Sequence, residues 1–123
     1  MEYHVIKKAT RAQVESAIKR NDPEELLIAV LSAALYSEDP AWAESVCLRL
    51  AEHEYFNVRG NAILGFAHIA RIHGKLNKAL VKPVVQAALS DESEYVRGHA
   101  YDAVDDLNFF LKWRLRRPKK VEG

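Results

Sequence analysis

The residues best placed to do chemistry in this 123-residue chain are Asp102, Asp105 and Asp106, with His99 just before them. On a helix Asp102 and Asp106 stand one turn apart, and His99 extends the same stripe. Like charges at that spacing cost roughly a few tenths of a kcal/mol. Three carboxylates so close together therefore need cations nearby or a use for their field. One reading is a surface that binds a cationic partner. A second is a metal site with His99. It is the weakest reading, because carboxylates from one helix rarely suffice and no second ligand segment stands out. The third is internal pairing with Arg59, Arg71 or Lys75. The first and third stay open.

Other candidates are sparser. In His68-Ile69-Ala70-Arg71-Ile72-His73, His68 and Arg71 point away from the apolar stripe and suit an exposed or interface role. His68 and His73 are five apart and face differently, so they do not share a metal. Glu38 and Asp39 add acids to the candidate surface. Cys47 is the only cysteine, which excludes an internal disulfide and a cysteine-based zinc site. Its place in an apolar stripe predicts a buried, inert thiol. Ser32, Ser37, Ser45, Ser90 and Ser93 have no elbow motif around them. No nucleophile–base pair, phosphate loop or metal spacing is present, so neither an enzyme nor a cofactor is expected. The basic, aromatic run from Asn108 to Arg117 reads as a final helix packing its rings on the body and ending in a solvated tail. Contact with a membrane surface or RNA phosphates is the other reading of that run.

The net charge is only +1, but the charges are segregated. Residues 1–20 carry +3, 21–56 carry −7, 57–90 carry +5, 91–111 carry −5 and 112–123 carry +5. Stacked helices of alternating sign could neutralise one another. Alternatively, the molecule presents distinct acidic and basic patches to a charged partner. No apolar run approaches the roughly 18 residues of a spanning helix, and no signal-peptide core is visible near the start. The cytoplasm is the expected compartment, with no membrane role.

The elements that must position these residues are helices. Thr10 with Gln13 makes a capping box, and Asp22-Pro23 and Asp39-Pro40 are N-cap and first-turn proline pairs. The pattern predicts helices near 10–20, 23–36, 40–53, 56–73, 77–89 and 93–113. Gly74 should end the fourth as a left-handed cap. Pro83 should kink the fifth or delay its start. No stretch alternates with period two, so the chain is all-α with three helix pairs. It reads as one domain over 1–113 and a basic, disordered tail over 114–123. The expected core is Leu27, Leu31, Ala34, Val46, Leu48, Leu50, Val58, Ala62, Phe66, Ile69, Leu80, Val84, Leu89, Val96, Ala100, Val104 and Leu107.

The segment Val58-Arg59-Gly60-Asn61-Ala62 returns 38 residues later as Val96-Arg97-Gly98-His99-Ala100. The apolar positions that follow superpose under the same shift. A fixed period of this size marks a repeat array whose units stack to bury their apolar faces. Glycine within a helix costs about 1 kcal/mol against alanine, so Gly60 and Gly98 predict close approach of a neighbour.

At these residues the chain resembles the HEAT repeat in its short bacterial form. That family shows an acidic residue, Val-Arg five residues on, and a small residue three further. Asp91, Val96, Arg97 and Ala100 fit throughout. Val58, Arg59 and Ala62 fit, but His53 stands where the family has aspartate. The resemblance covers roughly 50–113. It implies an α-α superhelix of about three HEAT-like helix pairs, right-handed, with the second helix of each pair lining a concave face. It gives Arg59 and Arg97 a structural role, bridging a loop aspartate or helix ends. The His68–Gly74 stretch followed by an acidic last helix also resembles immunity proteins of toxin–antitoxin and contact-dependent inhibition loci. That resemblance implies binding and blocking a cognate toxin domain, basic and of nuclease type. The expected partner surface is Asp102, Asp105, Asp106, His68, Arg71, His99, Glu38 and Asp39. The alternatives are a nucleic-acid-binding array, as in DNA glycosylases of related fold, and a scaffold or accessory subunit.

Overall fold

The computed structural model describes residues 6–117; the ends, 1–5 and 118–123, lie outside the described residues. Six helices follow one another: α1 (Arg11–Arg20), α2 (Pro23–Tyr36), α3 (Pro40–Leu50), α4 (Phe56–His73), α5 (Lys78–Ala88) and α6 (Glu94–Leu111). There is no strand among the described residues. The architecture is an all-α stack of three helix pairs. The second helices, α2, α4 and α6, lie side by side and make the most extensive contacts, α4 with α6 above all.

The helix starts follow the local chemistry. Gln13 N donates to Thr10 Oγ1 at 3.1 Å, and Thr10 N donates back to Gln13 Oε1 at 2.8 Å. Asp22 and Asp39 cap α2 and α3 through their side chains, each followed by proline at the first position. Gly74 closes α4 at φ 67°, the left-handed cap expected there. Two ends differ from expectation. Helix α3 stops at Leu50 rather than 53, and α6 at Leu111, where Lys112 takes the left-handed cap at φ 58°. Helix α5 begins at Lys78, capped by Asn77, with Pro83 inside it. It does not start late. Pro83 is exposed, so water can take the place of its missing bond to the Ala79 carbonyl.

The core runs through all three pairs. Most of the predicted positions are buried, from Ala34 and Val46 through Phe66 and Ile69 to Leu107. The α5 stripe is out by one residue. Leu80 is 52% exposed, whereas Val81 and Val85 are fully buried. Leu27, Leu31, Leu48 and Val84 are half-buried, and Leu26, Val30 and Cys47 lie deeper. A one-residue choice among adjacent apolar side chains depends on where the neighbouring helix sits, which periodicity alone does not contain.

The expected close approaches divide. A Cβ at Gly60 would stand 2.5 Å from Tyr95 Cδ2, so that glycine makes room for the ring. Gly98 has nothing within 4 Å of its Cβ position. The prediction of a close neighbour there is wrong, because no helix among the described residues packs on that side of α6. A second tight site is Gly65, whose Cβ would lie 2.6 Å from Cys47 Sγ and 3.4 Å from Ala34 Cβ. Burial pushes the Cys47 thiol far up, so it is inert at neutral pH.

Both ends of the described chain are strapped down. Ala9 N donates to Ser32 Oγ (2.8 Å), which donates to the Lys7 carbonyl (2.9 Å). Ser32 is thus a buried brace. At the other end the Asn108 amide brackets Leu115, donating to its carbonyl at 3.0 Å and accepting from its N–H at 2.6 Å. Leu115 is 6% exposed. The packed chain therefore continues past the expected boundary at 113/114, at least to Arg117. Pro118, Lys119 and Lys120 of the expected tail lie outside the described residues.

Candidate partner-binding face

On α6 the side chains of Tyr95, His99, Asp102 and Asp106 recur at helical spacing and form one stripe. Beside it on α4 run Asn61, Leu64, His68 and Arg71. Hydrogen bonds tie the second helices together at one end of this surface. Tyr95 Oη donates to Asn61 Oδ1 at 2.5 Å, and Asn61 Nδ2 donates to the Leu27 carbonyl of α2 at 3.2 Å. Further along, an Arg71 N–H donates to His68 Nδ1 at 3.1 Å. Arginine has no acceptor, so His68 accepts and its ring is neutral. The Tyr95 and His99 rings meet edge to face, 4.6 Å between centroids.

The electrostatics agree with this geometry. Burial holds the His68 pKa below its usual value, helped by the Arg71 charge and by His99. Burial also lowers His99, against the pull of Asp102. Asp106 is raised, first by burial and then by the like charges of Asp102 and Asp105, with Arg71 opposing. The surface thus runs from neutral rings to crowded carboxylates. Asp102 and Asp106 make no ion pair among the described residues. Of the cations considered as internal partners, Arg71 acts on Asp106 without a close ion pair, and Lys75 lies in a groove with Asp39 and Glu44.

Arg59 is committed elsewhere. It donates to both carboxylate oxygens of Asp91 (3.0 and 2.9 Å) and to the carbonyls of His53 and Glu54 (3.1 and 3.0 Å). The pair is mostly buried, with side chains 13% and 16% exposed, and the Arg59 guanidinium holds the Asp91 carboxyl below its ordinary value. Arg97 donates to the Asp91 carbonyl at 2.8 Å. Each arginine therefore clasps the carbonyl six residues earlier in its own unit. The Asp91 carboxylate reaches back to the preceding unit. Where the family's aspartate is replaced, His53 Nε2 pairs instead with Asn21 at 2.7 Å. Asn21–His53 and Arg59–Asp91 have the same separation of 32 and lie one 38-residue period apart. The His53–Asn21 hydrogen bond thus stands where the next unit has its arginine–aspartate pair.

The remaining candidates are placed as follows. Asp105 is exposed and lies 3.6 Å from Arg117, which also stacks 5.3 Å over Tyr101. Asp39 caps α3 and lies 3.8 Å from Arg11. Glu38 and Asp39 share a groove with Lys8, Arg11 and Trp42, and no contact joins them to the α6 aspartates. Sequence reasoning missed Asn61 and Tyr95. Spacing places Tyr95 one turn before His99 in the same stripe, but the bond that pairs it with Asn61 crosses between helices and has no such signal. No group of three or more His, Cys, Asp or Glu among the described residues could hold a metal. No described helix is long and apolar enough to cross a membrane.

No family model matches the chain, and no curated protein matches it. Among solved structures, the chain is similar to one chain of the CDI (contact-dependent inhibition) complex from Cupriavidus taiwanensis LMG 19424. The TM-score is 0.78 and the identity 27%, over 89% of this chain and 97% of that one. The likeness thus takes in nearly all of a component of a CDI complex.

Proposed function

We propose that this chain is a non-catalytic binding module, an immunity protein that holds and neutralises a cognate toxin domain. The observation that carries the reading is its likeness, over 97% of the counterpart's length, to a chain of a CDI complex. The repeat spacing around Asp91, Val96, Arg97 and Ala100 supports assigning the helix pairs to the HEAT type. The contact surface is the α4–α6 stripe: Asp102, Asp105 and Asp106, with His68, Arg71 and His99 beside them. Glu38 and Asp39 form an outlying acidic patch. Two carboxylates without internal ion pairs suit a basic partner, such as the cationic cleft of a nuclease. Opposed charges would steer the encounter and fix its register. The setting is the bacterial cytoplasm.

Affinity capture of the tagged chain from its native host, followed by mass spectrometry, tests the proposal. Recovery of a toxin domain encoded beside this gene supports it. Recovery of nucleic acid alone, insensitive to Asp102→Lys but lost on neutralising Arg116 and Arg117, would replace it with the nucleic-acid reading.

A further inference from the structure

At the N-terminal ends of α4 and α6 the surface changes character. Tyr55, Phe56 and Tyr95 are 48%, 49% and 41% exposed. Phe56 and Tyr95 meet edge to face at 5.9 Å, and His99 backs the Tyr95 ring from the other side. The Tyr95 hydroxyl is fixed on Asn61, and the ring lies in the space that Gly60 leaves. The Tyr95 ring is held in place before any partner arrives, with Phe56 against its edge. Beside them a groove of about 370 Å³ is lined by Glu54, Tyr55, Phe56, Arg59, Glu92 and Ser93.

The charge around the groove is lopsided. Glu54, Glu92 and Glu94 are exposed and make no ion pair among the described residues. Arg59 lines the groove, but its guanidinium is bound by Asp91 and two carbonyls. Its charge is neutralised locally, and the carboxylates set the field that an incoming group meets. Aromatic faces attract cations, and guanidinium stacks on them best because it is planar and weakly hydrated. Fixed aromatic anchors ringed by charge are also the composition of interface hot spots.

We propose that Tyr55, Phe56 and Tyr95, ringed by Glu54, Glu92 and Glu94, form a docking site for arginine side chains of a protein partner. The site lies apart from the aspartates. Tyr95 and Asp106 are eleven residues apart on α6, roughly 16 Å at the helical rise. The inference goes beyond the toxin reading and does not require it, since the recognised chemistry is arginine on a protein surface.

The test uses the full chain and a fluorescein-labelled decapeptide of alternating arginine and glycine, followed by fluorescence anisotropy at low salt. The Tyr55→Ala/Phe56→Ala variant should weaken binding about five- to tenfold. Glu24→Gln, exposed on α2 and outside both surfaces, should change it less than about twofold, and the lysine peptide of equal charge should bind the native chain more weakly than the arginine peptide. If the aromatic variant misfolds by circular dichroism, Glu92→Gln/Glu94→Gln and ring-proton shifts of the native chain give the same answer. Unchanged binding in the well-folded aromatic variant, or shifts confined to Asp102 and Asp106, would overturn the proposal. Loss of the toxin in host capture with arginine binding intact would overturn the immunity reading alone.

Discussion

At the residue scale, burial and neighbouring charges shift the protonation equilibria of the groups on this face. His68 and His99 have lowered pKa values because they are half-buried and neutral. The unfolded chain then takes up protons first as pH falls. The stability they support is full above the ordinary histidine value of about 6.5 and is lost as pH falls below it toward the folded pKa values. Urea midpoints should therefore drop between about pH 7.5 and pH 5.5, and His68→Gln with His99→Gln should flatten that fall. An unchanged slope would mean that the rings are solvated. Asp106 has the opposite sign. Its raised pKa makes its charge unfavourable as pH rises through the folded value. Asp106→Asn should stabilise the free protein by a few tenths of a kcal/mol at about pH 7 and do nothing near pH 3. A loss of stability at neutral pH would show that Arg71 outweighs the two neighbouring acids.

At the element scale, α4 is the hub, with ten of its eighteen residues buried and contacts to four other helices. Two glycines, Gly65 on α4 and Gly98 on α6, report on how closely the helices pack. Gly98→Ala should stabilise by up to about 1 kcal/mol, since nothing lies within 4 Å of the added methyl. Gly65→Ala meets Cys47 Sγ in a fully buried site and should destabilise by about 1–3 kcal/mol. Combining it with Cys47→Ala should recover part of that loss, because the clash is with the sulfur and the Cβ atoms are 3.9 Å apart. Denaturant midpoints over the cycle decide; additive losses would mean that the Ala34 Cβ contact dominates. The Arg59–Asp91 clasp joins the last two units. Asp91→Ala should cost about 2–3 kcal/mol, because it leaves a mostly buried guanidinium short of two bonds. A change under about 0.5 kcal/mol would show that the carbonyls alone hold Arg59.

Much of this was legible in the sequence, because it is local. Thr10, Asp22, Asp39 and Gly74 announce caps whose chemistry acts within one turn, and they stand where expected. The 38-residue echo of Val-Arg-Gly reveals the stacking. Which partner each arginine takes was not legible, since Asp91 is reached across units. Gly60 and Gly98 read alike as letters and differ only because one has a neighbouring helix. Leu80 and Val81 both suit a core, and only the position of the neighbouring helices sends Leu80 to solvent. Asn61 and Tyr95 gain their importance from a bond between helices that no spacing within one helix encodes.

At the scale of the whole molecule, alternating charge along the chain becomes separated charge in space. The basic stretch 57–90 spends Arg59 on Asp91 and places Arg71 beside His68, leaving Asp102 and Asp106 without ion pairs among the described residues. The basic segment after α6 folds back so that Arg117 lies on Asp105 and Tyr101. That contact is exposed and screened, and a basic partner would displace it at little cost. We propose that this acidic face of α4 and α6 holds a basic protein partner. The most direct test is the salt dependence of association between the captured toxin domain and the chain, native against Asp102→Lys/Asp106→Lys. Association with the native chain should be fast and fall steeply with salt. The variant, equally helical, should associate slowly, dissociate faster and lose most of the salt dependence. Identical rates and salt slopes for the two chains would contradict the claim.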